Sequence, residues 1–125
     1  MKSRFAAEAT ILRALGHPAR LAILEVLRHR PACVCHLTAA LHRPQAYVSQ
    51  QLGVLRDAGL IEGQRDGAFV YYYYRLRNYG VLGMLDLATR LLGRAPEATP
   101  AAGPLAGCEC PQCAVGEAPA KGAGA

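Results

Sequence analysis

The 125-residue sequence contains no uncharged apolar run close to the roughly 20 residues that cross a bilayer. Residues 1–20 alternate charged and apolar side chains in a helical pattern, so they lack the apolar centre of a secretory signal peptide. The cysteines number five, an odd count that suits a framework of disulfides poorly. We therefore expect a cytoplasmic protein with reduced thiols and no membrane association.

Acidic residues are fewer than basic ones, with 9 Asp+Glu against 14 Lys+Arg and a formal net charge of +5. Most of the cations are arginine, whose forked guanidinium suits phosphate and guanine. This excess of positive charge suggests an anionic partner. The sequence offers no nucleophile with an adjacent base and no open metal site with a general base, so we do not expect an enzyme.

Large aliphatic residues become rare after residue 93, where Ala, Gly and Pro dominate. A segment of this composition cannot bury enough apolar surface to offset the entropy of ordering it. We therefore predict a compact domain over residues 1–93 and a flexible tail over residues 94–125. The tail carries one compact cluster, formed by Cys108, Cys110 and Cys113.

The spacing of apolar residues predicts a mainly α domain with one β-hairpin. Helices are predicted at Ala6–Leu15 and at residues 18–30, 33–41, 45–58 and 78–92. Strands are predicted at residues 60–62 and 68–76, on either side of Asp66 and Gly67, a pair typical of hairpin turns. The last helix is apolar on almost every side, which indicates that a partner chain covers it. We expect a homodimer formed through the N- and C-terminal helices.

Two short helices followed by a hairpin have the order of a winged helix-turn-helix, whose second helix enters the major groove of double-stranded DNA. The candidate DNA contacts are Arg43, Gln45, Tyr47, Ser49, Gln50 and Arg65. Glutamine can pair with adenine, and serine or arginine can hold phosphate. An isolated helix rich in Gln and Ser could equally be a solvated surface, but the ordered series of helix, turn, helix and wing favours DNA binding.

Three segments, in order along the chain, resemble the ArsR/SmtB repressors. They are ALGHPARLAIL at residues 14–24, VSQQLGVLRDAGLI at residues 48–61 and RDGAFVY at residues 65–71. The resemblance spans about residues 8–93 and implies a dimeric winged-helix repressor that leaves its operator when an inducer binds. Pro44 departs from the family pattern, which has a capping Ser or Asp at the start of the recognition helix.

Cys33 and Cys35 lie at the start of the third predicted helix. Two residues that far apart on a regular α-helix point about 200° away from each other, so a shared ion would distort the first turn. Such a distortion would connect ion binding to the helix that supports the recognition helix. The Cys-Val-Cys motif resembles the site of the arsenic-sensing and cadmium/lead-sensing branches of the family. The alternative is two ordinary half-buried cysteines.

The tail cluster is typical of soft-metal binding, because thiolates select thiophilic ions. Residues 94–107 form a linker with a root-mean-square span of about 20 Å, which can bring Cys108, Cys110 or Cys113 to the helix-start pair. As(III) is held by three thiolates, so we expect As(III) as the inducer, with Sb(III), Cd(II) or Pb(II) as alternatives and no permanently bound cofactor. A chance cluster in the tail is the other interpretation.

The remaining candidates are weaker. Family members that sense zinc on the last helix use Asp and His there, but only Asp86 is present. His36 and His42 could join a metal site near Cys35, but we interpret both as polar surface residues of the turn. The run of tyrosines at residues 71–74 could be an aromatic platform for single-stranded nucleic acid, but we interpret it as sheet packing. Two other functions stay open: a soft-metal carrier, and a repressor that responds to thiol oxidation.

Overall fold

The computed structural model describes residues 3–65 and 72–95, and within them the chain forms five helices and three strands. The helices are α1 (Ala6–Leu15), α2 (Pro18–Leu27), α3 (Val34–Leu41), α4 (Gln45–Asp57) and α5 (Gly80–Leu91). The strands are β1 (Ala32–Cys33), β2 (Ile61–Arg65) and β3 (Tyr72–Leu76). The predicted mainly α architecture with a β-hairpin, in the order of a winged helix-turn-helix, is confirmed. The predicted tail stays a prediction, because residues 96–125 lie outside the described residues.

The core lies between α2, α3, α4 and the sheet. Its largest fully buried apolar side chains are Ile23, Leu24, Leu37, Val48, Leu52, Leu55 and Ile61. Three of them recur at helical spacing on α4, so one face of that helix is fixed to the core. Each buried Leu or Ile contributes about 1.5–3 kcal/mol relative to an exposed one. The opposite face of α4 is left at the surface.

The chain forms a strand that the sequence did not predict. Ala32 and Cys33 pair antiparallel with Tyr74 and Tyr73, and the sheet has the order β1-β3-β2. Cys33 was expected inside a helix, but its backbone is extended, with φ −83° and ψ 166°. Both residues of β1 are buried, so their backbone groups require partners, which β3 supplies. The third helix consequently begins at Val34.

Two helix ends also differ from the predicted ones. Helix α2 ends at Leu27 rather than near residue 30, because Pro31 disfavours helical backbone at the residue before it. Helix α5 begins at Gly80 rather than at residue 78, since the Asn78 Oδ1 atom accepts the Gly80 N–H at 2.9 Å and forms a turn instead.

The hairpin strands pair in register from Ile61 opposite Leu76 to Arg65 opposite Tyr72. Strand β2 is longer than predicted and continues to Arg65. A glycine at positive φ (Gly59, +79°) ends α4 before this strand. The predicted turn at Asp66 and Gly67 and the strand residues 68–71 lie outside the described residues.

Exposed apolar side chains concentrate near the first and last helices. They include Phe5, Leu12, Tyr79, Met84, Leu87, Leu91 and Leu92. On α5, Val81 is buried, whereas Leu91 is 78% exposed. This distribution fits the predicted covering of these helices by a second chain.

No helix within residues 3–65 and 72–95 has both the length and the apolar character needed to cross a membrane.

Candidate DNA-binding surface and thiol site

The outward face of α4 carries three of the six predicted DNA contacts. Gln45, Ser49 and Gln50 are exposed there, and Arg43 is exposed in the turn before it. Helix α4 begins at Gln45, with Pro44 at the N-cap position, and no described side chain caps it. The N–H groups of its first turn are therefore available to an anion such as a DNA phosphate.

Tyr47 lies differently from the other predicted contacts, because it is half-buried. Its hydroxyl is 3.5 Å from His17 Nε2, and the Arg43 guanidinium lies 4.8 Å from the centre of its ring. His17 Nδ1 accepts the Ala19 N–H at 3.1 Å, which caps α2 and leaves Nε2 as the protonated nitrogen of the neutral ring. The Tyr47 ring thus makes a cation–π contact with the Arg43 guanidinium and helps to hold it in place.

Arg20 contacts α4 from the opposite side, and sequence reasoning missed this residue. Its Nη1 donates to Gln51 Oε1 at 2.8 Å, while Nε donates to the Ala14 carbonyl at 2.6 Å and Nη2 to the Arg13 carbonyl at 3.1 Å. Gln51 is 8% exposed and follows Val48 by three residues, on the core-facing side of α4. A polar residue at that helical spacing was the available signal, but its partner could not be read from the sequence.

Strand β1 and helix α3 bring the two N-terminal cysteines together. Cys33 is the N-cap of α3, where its sulfur accepts the His36 N–H at 3.4 Å, and Cys35 lies in the first turn. The two Sγ atoms are 2.9 Å apart, longer than the roughly 2.05 Å of a disulfide bond, so they are in contact without being bonded. The expectation that the thiols diverge by about 200° is wrong, because Cys33 lies outside the helix.

Two thiols alone do not complete a metal site. Within residues 3–65 and 72–95, His, Cys, Asp and Glu side chains form no group of three or more suited to a metal ion. The other predicted ligands, Cys108, Cys110 and Cys113, lie outside those residues.

The two histidines near the thiols occupy different environments. The interpretation of His36 as a surface residue is wrong, because it is 1% exposed, on the core-facing side of α3. His42 is exposed and ends α3 with left-handed backbone (φ +55°), in keeping with a role in the turn.

The carboxylate of Asp86 on α5 is engaged by an arginine. Arg28 Nη2 and Nη1 donate to its two oxygens at 2.6 and 3.3 Å, and Arg28 Nε donates to Glu25 Oε2 at 3.0 Å. The hydrogen bond to Asp86 raises the pKa of Arg28 above its ordinary value. The ion pair between Arg28 and Asp86 connects α5 to the C-terminal end of α2.

The structure describes strands β2 and β3 of the wing but not residues 66–71 between them. Arg65, the predicted contact at the hairpin tip, is exposed at the end of β2. Tyr74 is buried against the core, which confirms sheet packing for this member of the tyrosine run. Tyr71 and the side chain of Tyr72 lie outside the described part of the chain.

Comparison with known proteins places these features in one family. A sequence model described as "Bacterial regulatory protein, arsR family" matches residues 17–62, from the N-cap of α2 to the start of β2. The SmtB transcriptional repressor of Mycobacterium tuberculosis is 47% identical over 66 residues, which are 53% of this chain and 49% of that protein. The chain therefore spans about half the length of this curated relative.

Two further relatives are similar over more of their length. The HTH-type transcriptional regulator Rv0081 of M. tuberculosis is 35% identical over 88 residues, 70% of this chain and 75% of that protein. Its crystal structure superposes with a TM-score of 0.65 at 32% identity, covering 74% of this chain and 92% of that chain. The homodimeric winged helix-turn-helix DNA-binding domain Mb0332 of Mycobacterium bovis gives a TM-score of 0.64 at 25% identity, covering 74% and 88%.

The fold and these similarities lead to the same conclusion. The chain belongs to the ArsR/SmtB family of winged helix-turn-helix transcriptional regulators.

Proposed function

We propose that the protein is a homodimeric repressor that binds operator DNA and is released when a thiophilic ion, As(III) foremost, binds its cysteine thiolates. The observation that carries this proposal is the contact between the Cys33 and Cys35 sulfurs, 2.9 Å apart at the joint between β1 and α3. That joint lies one helix before α4 and is paired with the wing strand β3. A ligand of both sulfurs therefore acts on two DNA-binding elements at once.

The exposed face of α4 supports the DNA-binding part of the proposal. Gln45, Ser49 and Gln50 face solvent beside Arg43, so amide, hydroxyl and guanidinium groups are available to base edges and phosphates. Arg65 at the end of β2 extends the basic surface toward the wing. Each chain carries a formal +5, and a dimer twice that, so counterion release contributes strongly to affinity.

The dimer is supported by apolar surface that a single chain leaves uncovered. Leu12 on α1 and Leu87 on α5 are each more than half exposed, and Leu91 is more exposed still. Exposed large apolar side chains of this kind are typical of surfaces that a partner covers. The homodimeric state of the M. bovis domain supports the same arrangement.

The thiol pair needs little rearrangement to hold an ion. Two sulfurs each about 2.3 Å from an ion and separated by a tetrahedral angle stand about 3.8 Å apart, so these sulfurs would separate by roughly 1 Å. The Cys33 sulfur also caps α3 through the His36 N–H, and coordination competes with that bond.

One of Cys108, Cys110 and Cys113, as the sequence predicts, supplies the third thiolate that As(III) requires. Cd(II) and Pb(II) accept three or four, and Sb(III) three.

An operator-release assay tests the proposal. A duplex is first selected from a random library by the full chain, then labelled, and its complex is titrated with arsenite, antimonite, Cd(II) and Pb(II). Arsenite is expected to release the duplex at near-stoichiometric amounts. Cys33→Ser and Cys35→Ser are expected to bind the duplex and to resist release.

Replacing Cys108, Cys110 and Cys113 together by serine is the matched variant outside the helix-turn-helix, and it is expected to weaken release without altering DNA binding. Unchanged release after these three substitutions would remove the tail from the site. Normal arsenite release from the Cys33→Ser protein would overturn the thiol-pair mechanism.

The same sulfur contact favours one second candidate, a repressor that responds to oxidation. Hydrogen peroxide would join the two sulfurs in a disulfide, with both thiol protons leaving and the peroxide reduced to two waters. Release by peroxide but not by arsenite would select this candidate over the metal(loid) sensor.

A further inference from the structure

We infer that Arg20 is a positioning residue for DNA recognition, which fixes the rotation of α4 relative to α1 through Gln51. The inference rests on the proposed DNA-binding function of α4 and deepens it. It assigns part of the sequence discrimination to a side chain that faces away from DNA.

Arg20 lies on α2, and its guanidinium connects this helix to both α1 and α4. It donates to the carbonyls of Arg13 and Ala14 at the end of α1 and to the side-chain amide of Gln51 on α4, at 2.6 to 3.1 Å. The two carbonyls belong to the last turn of α1, at the negative end of the helix dipole, and the Arg13 carbonyl also accepts the Gly16 N–H at 3.3 Å. The guanidinium therefore caps α1 and holds α4 with the same rigid plane.

Helices α1 and α4 also pack against each other, and each packs against α2. The Arg20 hydrogen bonds therefore reinforce helices that are already in contact. Its planar fork has fixed donor directions, and few orientations satisfy three acceptors at once. All three acceptors are neutral oxygens, so the contact depends on geometry rather than on ion pairing.

Gln51 occupies a position where an apolar side chain would be expected. It is 8% exposed and shares the core-facing side of α4 with Val48, Leu52 and Leu55, each at most 1% exposed. Apolar contacts fix which face of α4 is buried but are non-directional, whereas the part-buried hydrogen bond from Arg20 to Gln51 is directional and restricts the remaining small rotations of the helix. The Arg20–Gln51 bond accordingly selects one rotation of α4.

That rotation decides which side chains face the major groove. Gln50 is the neighbour of Gln51 and is exposed, and Ser49 precedes it on the same outward side. Helix α1 carries part of the proposed dimer surface, including Leu12. The Arg20 contact therefore sets the direction of the reading face relative to the partner subunit as well as to its own core.

The test is the affinity ratio between a duplex selected by the wild-type full chain and a scrambled duplex of the same length, measured by anisotropy at fixed salt. Gln51→Leu keeps the volume of the side chain and removes the oxygen that accepts from Arg20. We expect the affinity ratio to fall about tenfold, which is the size of effect typical of residues that influence a binding site without touching the ligand. Gln51→Glu keeps an acceptor for Arg20 and is expected to preserve the ratio. Arg20→Lys keeps the charge but loses the fork, and the ratio is expected to fall.

A control variant separates positioning from general destabilisation. Ile23→Val creates a small cavity in α2 at a fully buried position without altering any Arg20 contact. An unchanged ratio in Gln51→Leu would overturn the inference. An equal fall in Ile23→Val, with a similar loss of melting temperature, would do the same. A wild-type chain that selects no duplex would instead refute the proposed function itself.

Discussion

Cys33 has two roles in the proposed mechanism, and substitution separates them. Its sulfur is a proposed ion ligand, and the same sulfur caps α3 by accepting the His36 N–H at 3.4 Å. Serine is among the best N-cap residues and alanine among the poor ones, with a difference of about 1 kcal/mol. We expect the melting temperature of Cys33→Ser to lie near that of the wild type. Cys33→Ala is expected to have a free energy of unfolding about 1 kcal/mol lower than that of Cys33→Ser.

Thermal unfolding of the full chain, followed by circular dichroism, measures the difference. About 1 kcal/mol corresponds to roughly 4 °C for a chain of this size. Both variants are expected to bind the selected duplex, and both are expected to resist release by arsenite because each lacks one thiolate. Stability thus distinguishes the two variants, while the response to the ion does not.

Cys35 provides the matched control two residues further on. It lies within the first turn of α3 and does not occupy the cap position. Alanine has the higher helix propensity inside a helix, so Cys35→Ala is expected to be at least as stable as Cys35→Ser. Equal stability of Cys33→Ala and Cys33→Ser would refute the capping role.

Four other substitutions test three separate parts of the molecule. Arg43→Ala is expected to reduce the log–log slope of duplex affinity against salt by about 0.9, one phosphate contact. Tyr47→Phe keeps the ring beneath Arg43 and is expected to leave that slope unchanged, so a reduced slope would contradict the supporting role. Asp86→Asn removes the charge that faces Arg28 across a partly exposed pair and is expected to cost about 1 kcal/mol in urea unfolding. Leu91→Glu places a charge at a 78% exposed apolar site and is expected to convert the proposed dimer to monomer in sedimentation equilibrium.

Local signals were sufficient to predict helix α1 and the recognition helix α4. Helix α1 has the predicted bounds, and α4 begins at the predicted residue and ends one residue earlier. Pro44 and Gly59 mark the limits of α4, because proline cannot continue a preceding helix and glycine accepts the positive φ that ends one. Such signals act within a few residues and are visible in the sequence.

The features that the sequence did not predict depend on distant residues. Strand β1 is two residues long, and it exists because Tyr73 and Tyr74 offer backbone partners some forty positions later. The Arg20–Gln51 bond spans 31 positions and the Arg28–Asp86 pair 58. Long-range pairing of this kind leaves no local pattern, so the geometry of the thiol pair could not be derived before the fold.

The position of Cys33 determines which parts of the molecule an ion can affect. Its backbone pairs with Tyr73 in the wing strand, and its side chain caps the helix before α4, so both connections lead to DNA-binding elements. Helix α5 is fastened separately, through Arg28 and Asp86. In the proposed mechanism, ion binding at Cys33 therefore acts on the wing and on α3 without acting directly on the proposed dimer helices. We expect the arsenite-loaded protein to leave DNA as a dimer, and its dissociation to monomers in sedimentation would contradict this route.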